Sequence, residues 1–493
     1  MSLLNLIALF AAVGGVLTFF TMRLQRHKNI LTTFLQHFAG VWFIFSGFVK
    51  AVDPLGLALK QQEYFNEFKT TFAGVNWLAW LAPVMETMDK YAVGISIFVI
   101  VWEIVLGVML IVGYRPRLSA WLFFILIVFF TILTGYTHFT GYVPRGGNFF
   151  TTNWEKIWSE SNMRVTDCGC FGEFLKLKPT VSFYKDLFLT GVGIYFLFFH
   201  KKFHQFEGNR NIKAVATLTS GIVSTLFCLQ NTYLNEPVID FRPFREGVNV
   251  REQKKAEEKA QSEVDVTFRY RNLSDNSISL VPMKQITSDY GDTTKWKMVD
   301  RTTTEPSVPH TKISEFRIEQ PNGEDMTDSL LNEKGYYLLA ISGKIYSVDD
   351  KIKTTVPDTV YRDTTIAGKA QRQLVSIGTK TLTTYKYGFD QAQAEFFRKQ
   401  LNPLMEKSEK AGAKIAGLIA YQGTEKLEKF RHETQSAYPF FLGDDKLVKT
   451  IMRSNPGLLL MKDGKIIKKW HKNHLPSVEE LQSLIVVEKG EIK

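Results

Sequence analysis

Long apolar runs crowd the first half of the chain and vanish from the second. Stretches of spanning length fall near residues 3–22, 31–50, 91–113, 118–138, 183–200 and 214–234, and the hydrocarbon core of a bilayer takes about 20 such residues per helix. The pattern predicts a bundle of about six transmembrane helices. No Lys or Arg precedes the first run, whereas Arg23, Arg26 and Lys28 follow it. That order reads as a retained span with its N-terminus outside, not as a cleavable signal.

Threading the chain from there places 23–30, 114–117 and 201–213 on the cytoplasmic side. These short loops hold Arg23, Arg26, Lys28, Arg115, Arg117, Lys201, Lys202, Arg210 and Lys213 against a single acid, Glu207. The longer loops 51–90 and 139–182 carry basic and acidic residues in near balance. The bias follows the positive-inside rule, and an even number of spans puts everything after Leu234 outside. Within 51–90, Leu55 to Trp80 is amphipathic and rich in aromatics (Tyr64, Phe65, Phe68, Phe72, Trp77, Trp80), which reads as a cap on the bundle or as a segment seated at the membrane interface. Glu103 falls about midway along the third span, where an ionised carboxylate is costly. It must face the bundle interior or stay protonated, as a proton relay or ligand, or as a partner for a neighbouring helix.

Beyond Leu234 the period changes. Residues 251–262 read as a short charged helix, and the alternation in Val264-Asp265-Val266-Thr267-Phe268-Arg269-Tyr270 as strand, giving a small β-rich connector over 235–309. From about 310 the expected order is strand, long insertion (346–388), helix, strand, helix, two strands and helix. Phe316 to Asp328 reads as an opening hairpin, Tyr336 to Ser342 and Ile415 to Ala420 as buried strands, and 390–411 and 424–435 as helices. Ser454-Asn455-Pro456 followed by an apolar run, Asp463-Gly464 and a second run predicts a loop proline and a β-hairpin.

The 493 residues allow two or three domains, and the net charge of +11 divides as roughly +7 in residues 1–234 and +4 in the rest. No basic tract interleaved with aromatics accompanies that charge, so nucleic acid is set aside as a partner. The cysteines are Cys168, Cys170 and Cys228. The first two form a Cys-Gly-Cys in the second outer loop, and Cys228 lies six residues before the outer end of the last span. Three thiols near one membrane face permit redox chemistry, a buried reduced pair, or a fixed bridge from Cys228 to one of the pair. Two cysteines with no nearby His make a zinc site a poor reading.

The run Phe45-Ser46-Gly47-Phe48-Val49-Lys50-Ala51-Val52-Asp53-Pro54, with Asp167-Cys168-Gly169-Cys170-Phe171-Gly172 and Ser182-Phe183-Tyr184-Lys185-Asp186, resembles the DoxX/MauE family of four-helix membrane proteins over roughly residues 31–200. The layout is similar to that of the quinone-linked disulfide-forming enzymes of the vitamin K epoxide reductase type. The resemblance implies a four-helix core from the second to fifth spans, Cys168 and Cys170 at the family's thiol position, and a link to disulfide formation in exported proteins. The first and sixth spans are extra, and the pair is CxC instead of CxxC. Pro237 to Gly247 resembles a segment of longer two-part proteins of Bacteroidota. Residues 310–490 resemble the thioredoxin fold, with Pro456 as its cis-proline; no cysteine follows Cys228, so that domain lacks the CxxC and its candidate function is peptide or partner binding beside Asn455 and Pro456.

The expectation is therefore a multi-pass protein of a bacterial inner membrane, with a periplasmic β-rich connector (235–309) and a cysteine-free thioredoxin-like domain (310–493). Its partners are the lipid bilayer and other membrane or periplasmic proteins. One reading is a thiol-disulfide enzyme using Cys168, Cys170 and Cys228 with a quinone as acceptor. The other is a non-catalytic subunit of a membrane assembly that holds exported clients.

Overall fold

The computed structural model describes residues 2–486 except 25, 157, 166–168, 207–209, 287, 305, 367 and 368. Among the described residues six helices are long and apolar enough to cross a membrane: α1 (Leu3–Arg23), α2 (Ile30–Val52), α5 (Ala92–Val112), α6 (Pro116–Thr140), α7 (Pro179–Phe199) and α8 (Arg210–Leu229), the last two running on in short turns to Lys202 and Leu234. Between α2 and α5 lie α3 (Pro54–Ala73) and α4 (Ala82–Lys90). By its contacts the chain divides into two compact units, residues 1–245 with 255–314, and residues 246–254 with 315–493.

In the first unit α2 and α5 approach closely at a seam of glycines, Gly40, Gly47 and Gly107, against which Ile111, Ile104 and Ile44 pack. A Cβ on Gly107 would lie 2.7 Å from the Gly40 carbonyl oxygen and 2.9 Å from the Ile44 nitrogen, and one on Gly47 would meet Ile104 and Glu103. Small residues at such a seam let backbones approach, which is how helices associate where water supplies no hydrophobic force. Asp53 ends α2 and caps α3 through Gly56, so the chain turns at once into the aromatic helix. Tyr64 and Phe65 are buried, the Tyr64 hydroxyl lies 2.9 Å from Thr137 Oγ1, and Thr71 bonds Tyr136. Trp77 and Trp80 stay exposed. The segment thus caps the bundle and still presents aromatics suited to a membrane interface.

The expected charged helix is α9 (Val250–Ser262), and the strands after it form an antiparallel sheet of β1 (Val266–Asn272), β2 (Ile278–Pro282) and β3 (Trp296–Thr303) in the order β2-β1-β3. The second unit is built on a six-stranded sheet. Its members are β4 (Ile318–Glu319), β5 (Tyr336–Ser342), β8 (Lys414–Ala420), β9 (Phe440–Gly443), β10 (Gly457–Lys462) and β11 (Lys465–His471), ordered β11-β10-β5-β8-β9-β4. β5, β8 and β9 are parallel, and β10, β11 and β4 are antiparallel to their neighbours. Leu338, Ala340, Ile419, Leu458 and Leu460 point to one face, packed by helix residues Leu401, Leu404, Phe430 and Leu481. Leu339, Ile341, Leu418 and Leu459 are buried as well, as strands covered on both faces must be.

Three features differ from the expectation. The strand β9 and helix α14 (Asp445–Ile451) were not foreseen, because Phe440-Phe441-Leu442-Gly443 is too short to show a period. The opening hairpin shrinks to β4 and a single bridge between Glu319 and Asp325. The insertion is one continuous ribbon, β6 (Ser347–Ile366) paired with β7 (Lys369–Phe389) along its whole length. The Asn455–Pro456 peptide is cis, the form read for Pro456 from the sequence.

Candidate functional site

A cavity enclosing about 680 Å³ of empty space, open solvent at its mouth included, lies inside the helical bundle. Aromatic and apolar side chains make most of its wall (Trp42, Phe43, Tyr64, Phe130, Leu133, Leu189), and the polar groups that reach it converge from five helices and one loop. Apolar pockets with a few placed polar groups are the usual form of a small-molecule site.

Beside Lys60 and Gln61 of α3, those polar groups include two buried ion pairs. Lys50, near the end of α2, places Nζ 2.6 Å and 2.8 Å from the two carboxylate oxygens of Glu103, with the side chains 4 % and 1 % exposed. Ser46, one turn earlier on the same face, accepts from Lys50 Nζ at 3.0 Å. Its hydroxyl lies 3.0 Å from Glu103 Oε2 and 3.2 Å from the Cys170 carbonyl oxygen, and its one proton serves either. At the start of α7 the Lys185 ammonium contacts Asp186, whose side chain is 1 % exposed. Thr134 of α6 donates to Asp186 Oδ2 at 3.1 Å. The ammonium groups also sit over aromatic faces, Lys50 at 5.2 Å from the Phe130 centroid and Lys185 at 5.9 Å from that of Trp42.

Two charges are expensive to bury, and mutual attraction repays the cost only when further hydrogen bonds complete them. Here Ser46 and Thr134 supply such bonds. The arrangement holds two carboxylates and two ammonium groups in a largely apolar room.

Glu103, singled out as an intramembrane acid, therefore faces the interior and is paired. Cys170 lines the same cavity as a half-buried free thiol. Burial pushes that thiol above its ordinary range, opposed by Lys185 and Lys50, so it stays protonated at neutral pH. Cys168 lies outside the described residues. Cys228 is also a free thiol, packed with Ala51 and Ile100 in a separate apolar cluster; no bridge joins it to Cys170. In the second unit Asn455 is held by its own fold: its Oδ1 accepts from the Ser342 hydroxyl at 2.6 Å and from the Lys344 nitrogen at 3.3 Å, and its Nδ2 donates to the Lys344 carbonyl at 3.0 Å. The cis-proline loop is thereby tied to the exit of β5. Among the described residues no cluster of three or more His, Cys, Asp or Glu could hold a metal ion.

Sequence reasoning missed Lys50, Ser46 and the Lys185–Asp186 pair as site residues, although all lie in the runs that carried the family resemblance. The signal was available in Ser46 and Lys50, four apart and so on one helix face, opposite a span with an unpaired acid.

Residues 28–149 match the model of the family Methylamine utilisation protein MauE. The match covers α2 to α6, hence Ser46, Lys50, Glu103 and Thr134, and stops short of the Cys-Gly-Cys loop and α7, which the resemblance over 31–200 had included. No curated protein and no solved structure matches the chain. The chain is a multi-pass membrane protein whose residues 28–149 form a MauE-type domain of apolar helices.

Proposed function

We propose that the bundle cavity is the acceptor site of a thiol-oxidising membrane protein that serves exported polypeptides, embedded in a bacterial inner membrane with its second unit in the periplasm. The observation that carries this reading is one apolar, aromatic-walled cavity that holds Cys170 together with the Lys50–Glu103 and Lys185–Asp186 pairs. Closing a disulfide breaks two S–H bonds, makes one S–S bond and releases two electrons and two protons. Cys168 and Cys170 are the thiols assigned to that step. When bound, a quinone supplies an acceptor for two electrons and two protons. Trp42, Phe43, Tyr64 and Phe130 offer faces for a flat ring, Lys50 and Lys185 offer donors for its polar edge, and Glu103 and Asp186 are the groups that hold protons there.

The second unit reads as a thioredoxin-like domain without the thiols. Its support is the strand order, the cis Asn455–Pro456 bond and the final β10–β11 hairpin. Binding of extended peptides beside Pro456 is its assigned role. The test is reduction of a short-chain quinone by a dithiol, catalysed by the purified full chain in detergent. Turnover that disappears in Cys168→Ser and Cys170→Ser supports the reading; turnover equal to wild type in the double variant ends it.

A second reading, a non-catalytic subunit of a membrane assembly, is favoured by the burial that keeps the Cys170 thiol protonated. It predicts that the double variant complements loss of the protein in cells and that partner proteins stay bound in mild detergent.

A further inference from the structure

Two cavities border the thiol loop. The second encloses about 550 Å³ of empty space, its open mouth included, and has Leu57, Lys60 and Gly169 in common with the first. Gly169 stands between the two cysteines, so the backbone that joins them forms part of both walls. Its φ of 59° is one that L side chains rarely adopt, and a Cβ there would lie 3.1 Å from Lys60 Cγ; glycine alone fits this place without strain. Cys170 lines the first cavity and not the second.

The rest of the second wall comes largely from the run 237–247, which the quinone reading leaves unused. Phe241 packs edge-on against Phe174 of the thiol loop, centroids 5.2 Å apart, and Phe174 packs likewise against Phe45 of α2 at 5.5 Å. Beside Phe241, Arg242 lines the cavity and is 1 % exposed. Its Nε donates to Asp240 Oδ1 at 2.7 Å, and its Nη2 donates to Asp240 Oδ2 at 2.8 Å and to Glu236 Oε2 at 2.7 Å. A guanidinium carries five N–H bonds, and those of Nη1 are buried without a partner among the described residues. A buried donor left unmet is costly, so the site favours a ligand that brings an acceptor.

Charge selects the kind of acceptor. Glu236, Asp240 and Asp53 already act on the guanidinium, and an anion would meet all of them. The lining sets Asp53, Glu173 and Asp240 against Lys60, Lys176 and Arg242, a balance that gives no preference to an ion of either sign. Val49, Leu57, Ile239 and Phe241 add apolar wall. A neutral carbonyl between apolar groups meets these terms, and a polypeptide main chain offers one at every residue.

We propose that the second cavity seats a cysteine-bearing segment of an exported polypeptide, with one of its main-chain carbonyls taken by Arg242. Electron donor and electron acceptor then occupy the two spaces that border one thiol loop. The site rests on the thiol-oxidising reading. A client thiol attacks one sulfur of the Cys168–Cys170 disulfide: a client–protein S–S bond forms, the bond within the pair breaks, and the released sulfur takes the client's proton. A second client thiol then displaces the protein sulfur, which leaves as a thiol. The client is oxidised to its disulfide, and the pair is reduced to two thiols whose two electrons and two protons go to the acceptor.

The test traps the first bond and needs no acceptor. In the full chain in detergent, Cys170→Ala with Cys228→Ala leaves a single thiol. The probe is a short synthetic peptide whose one cysteine is activated as a disulfide with thionitrobenzoate and whose adjacent residue is p-benzoylphenylalanine. Illumination of the trapped adduct is expected to cross-link residues 237–242 or 172–176, read by mass spectrometry. Ile239→Trp, at an exposed position in the wall, is expected to slow trapping at least tenfold while labelling by the small disulfide of thionitrobenzoate stays within twofold. In the chain with all its cysteines, which serves if the double variant does not fold, Ile239→Trp is expected to raise KM for a dithiol peptide at least tenfold with dithiothreitol-driven turnover within twofold. Cross-links confined to other segments, or peptide trapping and KM unchanged in Ile239→Trp, overturn the proposal. Loss of quinone reduction with the cross-links intact removes the acceptor assignment and leaves the peptide site in place.

Discussion

The two units invert each other's distribution of polarity. In the bundle the outside is apolar, with Phe19, Phe98, Ile132, Phe198 and Leu226 exposed, and the inside holds Gln36, His37, Lys50, Glu103, Asp186 and His204. In the second unit the sheet interior is Leu, Ile, Ala and Phe, and ion pairs such as Lys414–Glu333 and Lys468–Glu480 lie on the surface. Where water supplies the driving force, an apolar interior suffices. In lipid no such force acts between helices, and buried polar groups become both the glue and the chemistry. Buried charge is therefore concentrated in the bundle, and the core of the second unit is apolar.

The comparison breaks first at Lys50. Lys50→Ala leaves Glu103 buried and unpaired, and should cost the bundle about 3–5 kcal/mol; Lys50→Met with Glu103→Leu should recover most of that, as read by thermal unfolding in detergent. Equal losses in the single and double variants would mean the pair is not the unit of cost. In the second unit the large effect comes instead from an apolar deletion. Leu338→Ala, at a fully buried strand position, should cost about 2–5 kcal/mol, with the bundle's own transition unmoved. Asn455→Ala removes the ties to Ser342 and Lys344 and should cost about 1–3 kcal/mol, measured by hydrogen exchange at the end of β5; unchanged protection there would sever the cis-proline loop from that strand.

A smaller effect separates the thiols. Only the thiolate reacts with iodoacetamide, and free cysteine has a pKa of about 8.5. Because burial raises the Cys170 pKa, its alkylation at pH 7 should be slower than that of an exposed thiol and should climb only at higher pH. Mass spectrometry of the Cys170 peptide across pH 6–10 checks this, and half-maximal labelling below pH 8 would contradict the burial.

How much of this was legible depended on whether the signal was local. The six spans were plain from length, since each must cross the bilayer alone. Pro456 was legible because loop, strand, Asp-Gly turn and strand follow within a few residues. Glu103 stood out as an acid in an apolar run, yet its partner did not. Lys50 sits two residues from the end of α2 and reads there as an interfacial charge, and Lys185-Asp186 reads as the polar flank of the fifth span. Only the Gly40, Gly47 and Gly107 seam, a contact across more than fifty residues, brings Lys50 against Glu103. The ribbon 347–389 reads in the sequence only as a long insertion because its exposed alternation names no buried face and so no register.

On the proposed reading the paired charges around the bundle cavity serve chemistry as well as the fold. The most direct measurement is dithiol-driven quinone reduction by Lys50→Met/Glu103→Leu, a variant expected to fold. The expected result is an unfolding temperature close to wild type with turnover reduced at least tenfold. Wild-type turnover in that folded variant would contradict it.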